Sequence, residues 1–162
     1  MHVHLLGERS GKRTGMKLNI AVINAEVISS MTDRKIKTLR LVLGDQLNSK
    51  HSWFSAVDAS ITYILMEVRS ETDYAQHHIQ KVLGFFASMR QFAEDLKAQG
   101  HDVLYIKIND SNNRQGFAEN CKSIIDDYQI EKFEYQLPDE YRVDQKLKNF
   151  VSSLSIDRKS VV

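Results

Sequence analysis

Six acids, Asp45, Glu67, Glu71, Asp110, Asp139 and Glu140, stand at or just beyond the ends of short apolar runs in this 162-residue chain, and Gln46 adjoins the first of them. Carboxylates accept hydrogen bonds and repel phosphate, so a rim of this kind suits an uncharged ligand rich in N–H and O–H donors. Tyr74, three residues after Glu71, offers a ring to cover the face of a flat heterocycle. A phosphate-bearing ligand fits poorly, because the chain has neither G-x-G-x-x-G nor G-x-x-x-x-G-K-[ST] and no basic cluster among these positions. Capping of helix N-termini is the simpler reading for Asp73, Asp110 and Asp139. For Asp45, capping and ligand binding stand side by side.

Other chemistries lack their parts. His77 and His78 are adjacent, so on a helix they point about 100° apart and cannot chelate one metal as an i, i+4 pair can. The single cysteine, Cys121, allows no internal disulfide and cannot alone hold a zinc or iron–sulfur site. No serine lies in a G-x-S-x-G elbow, and nothing brings a nucleophile, a base and an oxyanion donor together.

Charge is unevenly spread: residues 1–40 hold 8 Lys/Arg against 3 Asp/Glu, and the rest of the chain 14 against 18. A mildly acidic body lacks the basic stripe that phosphate-dominated nucleic-acid binding requires. No stretch has the length of a membrane span or the pattern of a signal peptide, so a soluble, cytoplasmic protein is expected.

The elements that must position these residues follow from hydrophobic pattern. Leu39, Leu41, Val42 and Leu43 form a nearly continuous apolar run, the mark of a central parallel strand covered on both faces. Gly44 permits a sharp exit or a close backbone approach, and Asp45 then lies outside the carboxyl end of the strand, where open α/β sheets bind ligands. A polar connection over 48–59 tucks Trp53 and Phe54 against the sheet in a short helical turn, and a second strand is predicted at 61–67. Ser70 and Asp73 resemble a capping box, and Tyr74, His78, Val82, Phe85, Met89, Phe92 and Leu96 recur at spacings of three and four. The pattern predicts a helix from near Thr72 to a C-cap at Gly100, with Gly84 as the place to bend or split it.

A third strand is read at 101–108. A helix follows, with Phe117, Cys121, Ile124, Ile125 and Tyr128 on one face, which makes Cys121 a core thiol. The fourth strand, 132–137, alternates enough to lie nearer an edge and stops at Pro138. A last helix spans about 142–154. Strands alternating with helices imply an α/β, Rossmann-like three-layer domain with a parallel sheet of four to five strands over 39–154. Residues 1–38 read as a loosely attached extension, with Leu18–Ile23 as an added edge strand in the competing view, and 155–162 as a C-terminal tail.

Beyond these patterns, specific residues match a family. Leu41-Val42-Leu43-Gly44-Asp45-Gln46-Leu47, then Glu67-Val68, Glu71, Tyr74, His77-His78 and Lys81, then Ser88 to Glu94 and Pro138 to Val143 resemble the N-terminal domain of the photolyase-related proteins, the group of bacterial iron–sulfur cryptochromes and (6-4) photolyases. The resemblance covers about residues 39–154. It implies an antenna domain that holds 6,7-dimethyl-8-ribityllumazine, with FAD, a [4Fe-4S] cluster and DNA contact confined to a larger C-terminal helical domain, absent here. Carried over by position, Asp45, Glu71 and Tyr74 are the first choices for the chromophore pocket, and Gly44, Glu67 and Phe85 the second. A lumazine is flat, has amide-like edges and a polyhydroxyl tail, and bears no phosphate, in keeping with the acidic rim. No residue here supports flavin binding or repair, so the chain alone is not expected to be catalytic.

Two classes of function are therefore in view: the light-harvesting part of a DNA-repair flavoprotein, and a small-molecule or nucleotide-binding α/β module without a photochemical role. A lumazine-like absorption band and fluorescence in the purified protein separates them. If the N-terminal arm is dispensable, deleting residues 1–30 leaves the melting temperature nearly unchanged; a large loss would identify Leu18–Ile23 as a paired strand.

Overall fold

The structure, a computed structural model, describes residues 36–73 and 78–161. Five strands, β1 (Thr38–Leu41), β2 (Ile61–Met66), β3 (Asp102–Ile106), β4 (Lys132–Gln136) and β5 (Asp157–Val161), form one sheet in the order β3-β2-β1-β4-β5. Every pairing is parallel. The connecting helices are a single turn α1 (Arg69–Thr72), the long α2 (Ile79–Ala98), α3 (Phe117–Tyr128) and α4 (Tyr141–Ser152).

Both faces of the sheet are covered, which is why its central strands are apolar nearly throughout. Leu39, Leu41, Leu43, Ile64 and Met66 point to one face and pack with Cys121, Ile124 and Ile125 of α3 and Val143, Leu147 and Phe150 of α4. Val42, Tyr63 and Leu65 point to the other and pack with Met89, Phe92, Ala93 and Leu96 of α2. Trp53 and Phe54 close that second layer from a 3-10 turn at Ser52–Phe54, as their place in the sequence suggests. Cys121 is fully buried, and burial pushes its thiol pKa up, so it behaves as a core residue.

Three expectations need correction. The presumed tail is not a tail: residues 157–161 form the edge strand β5 along β4, so the fourth strand, read as nearer an edge, stands one in from it, between β1 and β5. β5 is read poorly from sequence because Asp157, Arg158, Lys159 and Ser160 are all exposed and contribute backbone hydrogen bonds rather than apolar side chains. Next, the helix predicted from Thr72 is divided: α1 ends at Thr72, and α2 begins at Ile79 with His78 as N-cap, its ring Nδ1 accepting from the Gln80 N–H at 3.4 Å. The break precedes α2, and Gly84 sits within an uninterrupted helix. Third, Ile36 is 4% exposed in the core and Thr38 opens β1, so the folded body begins before residue 39. Leu18–Ile23, Tyr74 and His77 lie outside the described residues.

A buried acid holds three of these elements together. The Glu67 side chain, fully buried at the end of β2, accepts from Arg90 Nε at 2.6 Å and Nη2 at 2.9 Å on α2. It also accepts from the Tyr105 hydroxyl of β3 at 2.7 Å and the Ile108 N–H at 2.9 Å. Burial favours the neutral acid, but Arg90, the Ile108 N–H and Tyr105 outweigh it, and the Glu67 pKa falls below the usual carboxylate range. A depressed folded pKa means stability present above the unfolded value and lost as pH falls through the folded one. Glu67→Gln turns one acceptor into a donor against this set. With Arg90 half exposed and able to recruit water, the expected loss is about 2–3 kcal/mol near neutral pH, shrinking in acid, as read from denaturant titrations at several pH values.

Candidate functional site

A cavity of about 250 Å³ opens at the carboxyl end of the sheet, where β1 and β4 exit side by side. The strand order reverses direction there, since the chain leaves β1 for β2 on one side and returns to β4 on the other. From the β1 exit come Leu43, Gly44 and Asp45, and from α1 come Glu71 and Thr72. Lys81, Val82, Phe85 and Phe86 of α2 form one wall; Phe117 of α3, with Pro138, Glu140 and Val143 beyond β4, forms the other. The lining is mostly apolar and aromatic with a few carboxylates, the mixture typical of small-molecule sites.

Local bonding fixes the exits. Gln46 Oε1 accepts from the Leu43 N–H at 3.1 Å, while its Nε2 donates to the carbonyls of Gln136 and Leu137 at 3.3 Å each, stitching the end of β1 to the end of β4. The Gln46 N–H also closes a turn on the Leu43 carbonyl at 3.0 Å, with Gly44 and Asp45 at its tip. Gly44 is required for space: a Cβ there would lie 2.8 Å from Met89 Sδ and closer still to the Phe85 ring. Phe85 thus rests on the Gly44 backbone and keeps 42% of its surface open.

Glu71 is held by its neighbours. Arg142 donates from Nη2 to Oε2 at 2.7 Å and from Nη1 to Oε1 at 3.2 Å, and its Nε donates to Glu140 at 2.8 Å. The turn that carries Glu71 is set by Gln115, which stands at φ 64°, a region costly for any residue but glycine. Gln115 Oε1 accepts from the Arg69 N–H at 3.2 Å and its carbonyl from the Ser70 N–H at 3.3 Å. Asn113 supports it, accepting from the Gln115 N–H at 2.8 Å and donating to the Glu67 carbonyl at 2.7 Å.

Of the six residues singled out from sequence, Gly44, Asp45, Glu71 and Phe85 line the groove together. Glu67 does not line it; its carboxylate is satisfied within the fold. Tyr74 is outside the described residues. Asp110 accepts from the Lys107 N–H at 2.7 Å within the loop after β3, a turn bond rather than the helix cap expected of it. Sequence reasoning passed over Arg142 and Phe117 as site residues. For Arg142 a signal existed: a cation in the first turn of a helix opposes the dipole and needs an acidic partner. Among the described residues, no group of three His, Cys, Asp or Glu could hold a metal ion, and no helix is long and apolar enough to cross a membrane.

The fold and groove define a class: a Rossmann-like α/β domain with a cavity at its topological switch point. Residues 40–161 match the deoxyribodipyrimidine photo-lyase-related protein family, and the chain belongs to that family. It is also 35% identical over 119 residues to a (6-4) photolyase of Agrobacterium fabrum, a match that covers 73% of this chain and 24% of that protein. The chain therefore spans about a quarter of that relative's length.

The charges of the groove act on Asp45. Partial desolvation raises its pKa, its own backbone hydrogen bond opposes this, and the negative charges of Asp139, Glu140 and Glu71 raise it further. A raised folded pKa means a contribution fully present below the unfolded value and lost as pH rises through the folded one. Asp45→Asn is therefore expected to raise the melting temperature modestly at pH 7 and to leave it unchanged near pH 3; a loss at pH 7 would show that the carboxylate is structural.

Proposed function

We propose that the groove holds a flat, phosphate-free heterocycle with donor-rich edges and a polyhydroxyl tail, such as 6,7-dimethyl-8-ribityllumazine. In this reading the domain is the light-harvesting part of a photolyase-type flavoprotein. The observation that carries it is the pairing of aromatic walls, Phe85, Phe86 and Phe117, with the carboxylates Asp45, Glu71 and Glu140 in one cavity. The rings suit the faces of such a ligand and the carboxylates its N–H and O–H groups. Family membership and the similarity to a (6-4) photolyase add support. FAD, the [4Fe-4S] cluster and contact with DNA are assigned to the remainder of such a flavoprotein, and the role of this domain is to gather light for it.

Titrating the purified chain with 6,7-dimethyl-8-ribityllumazine, followed by the fluorescence of the ligand, tests the reading. Saturable binding is expected. Glu71→Gln should weaken it about ten- to a hundredfold through loss of a charge-assisted bond, and Phe85→Ala about two- to tenfold. Absence of binding, or binding indifferent to both substitutions, would overturn the assignment and favour a module without a photochemical role.

A further inference from the structure

We propose that Gln115 is a positioning residue for the ligand: from 46 residues beyond Arg69 it caps the single turn that carries Glu71, and its strained backbone serves affinity in place of stability. The inference rests on the ring-and-polyol reading above, in which Glu71 holds the ligand.

A helix begins with N–H groups that have no partner within it, and a polar side chain at the N-cap normally accepts from them. α1 has Val68 at its N-cap, which offers no such group. Gln115 supplies the acceptors instead: its side-chain Oε1 takes the Arg69 N–H at 3.2 Å and its carbonyl the Ser70 N–H at 3.3 Å. A turn this short does not hold by itself, and none of its residues is buried. The bonds to Gln115 therefore set where the α1 backbone sits, while Arg142 reaches the Ser70 carbonyl only at 3.5 Å. Contacts on the Glu71 carboxylate, from Arg142 at 2.7 and 3.2 Å, Ser70 Oγ at 3.3 Å and Lys146 at 3.8 Å, orient the end of a side chain whose origin is already fixed.

Gln115 is itself held from within the body of the fold. Its Nε2 donates to the Ile108 carbonyl at 2.8 Å and its N–H to Asn113 Oδ1 at 2.8 Å. The same Asn113 oxygen accepts from Asn120 of α3 at 3.0 Å, and Asn120 is 2% exposed. Backbone conformation singles the position out. Gln115 stands at φ 64°, where glycine is the low-energy choice, yet the glycine next to it, Gly116, is extended at φ −145°. A glycine at 115 would relieve the strain and forfeit the amide that bonds Arg69 and Ile108. Residues kept in costly conformations gather at ligand sites, and this one stands behind a lining carboxylate.

The test titrates 6,7-dimethyl-8-ribityllumazine into the full chain, unaltered and carrying Gln115→Gly, Gln115→Ala, Glu71→Gln, or Gln115→Gly with Glu71→Gln, and melts each protein. Gln115→Gly is expected to weaken binding about two- to tenfold, because the ligand must then order Glu71 itself. Its melting temperature should be nearly unchanged, since relief of the backbone offsets the lost bonds. Gln115→Ala keeps the strain and loses the amide, so it should weaken binding as much and also lower the melting temperature. On top of Glu71→Gln, Gln115→Gly should cost little further affinity, because it acts through that carboxylate. Unweakened binding by Gln115→Gly, or a weakening as large with Glu71→Gln as without it, would overturn the positioning role and leave the ring-and-polyol reading standing. So would a melting temperature that falls in step with affinity in both Gln115 variants. Failure of the unaltered chain to bind would overturn both.

Discussion

A carboxylate with no access to water is the constraint on which this fold turns. Left unpaired, the Glu67 charge would cost several kcal/mol, and β2 could not end where it does. The chain meets that demand with donors from three directions, Arg90 on α2, Tyr105 on β3 and the backbone of Ile108 in the loop beyond it. Each bond also locates something. Arg90 fixes α2 one turn beyond Phe85 and Phe86, so the aromatic wall of the groove is placed by a bond outside it. The Glu67 carbonyl receives Asn113, which orders Gln115, which in turn receives the N–H groups of the turn bearing Glu71. The groove is thus assembled at second hand, from a polar network with its root in the core.

The groove carries the opposite kind of electrostatics. Glu67 is an acid with its partners supplied by the fold, whereas Asp45 is crowded by other acids and kept more basic than usual. Charges in that state are not there for stability. Folds commonly tolerate such residues where a ligand binds. Glu71 is intermediate: Arg142 neutralises it and holds it rigidly, which orients the carboxylate at the expense of its net charge.

The sheet and both its helical layers were legible because β1 and β2 are buried on two faces and therefore apolar without interruption. β5 escaped notice for the same reason inverted: an edge strand of Asp, Arg, Lys and Ser satisfies its neighbour through the backbone and shows no hydrophobic period. The helix start was misjudged because Tyr74, His78 and Val82 keep helical spacing across a break that His78 caps. At the site, Gly44, Asp45 and Glu71 were placed by position relative to strand ends, and Phe85 by the family resemblance. Glu67 shares that position but alternates to the buried side, where a sequence alone cannot tell a ligand-facing acid from one tied to an arginine 23 residues away. Arg142 was missed because its significance lies in Glu71, which is distant in sequence and adjacent in space.

The position of Trp53 has an optical consequence. It is the single tryptophan of the chain and belongs wholly to the layer beneath α2, with the Arg40 guanidinium 4.9 Å from its ring centroid and His51 edge-on at 5.4 Å. Its emission therefore reports on that layer and is blind to loosening of α3 and α4 on the opposite side. Far-ultraviolet dichroism weighs all the helices alike. Whether the two signals change together on denaturation distinguishes a sheet that melts as one cooperative body from one that sheds a face first.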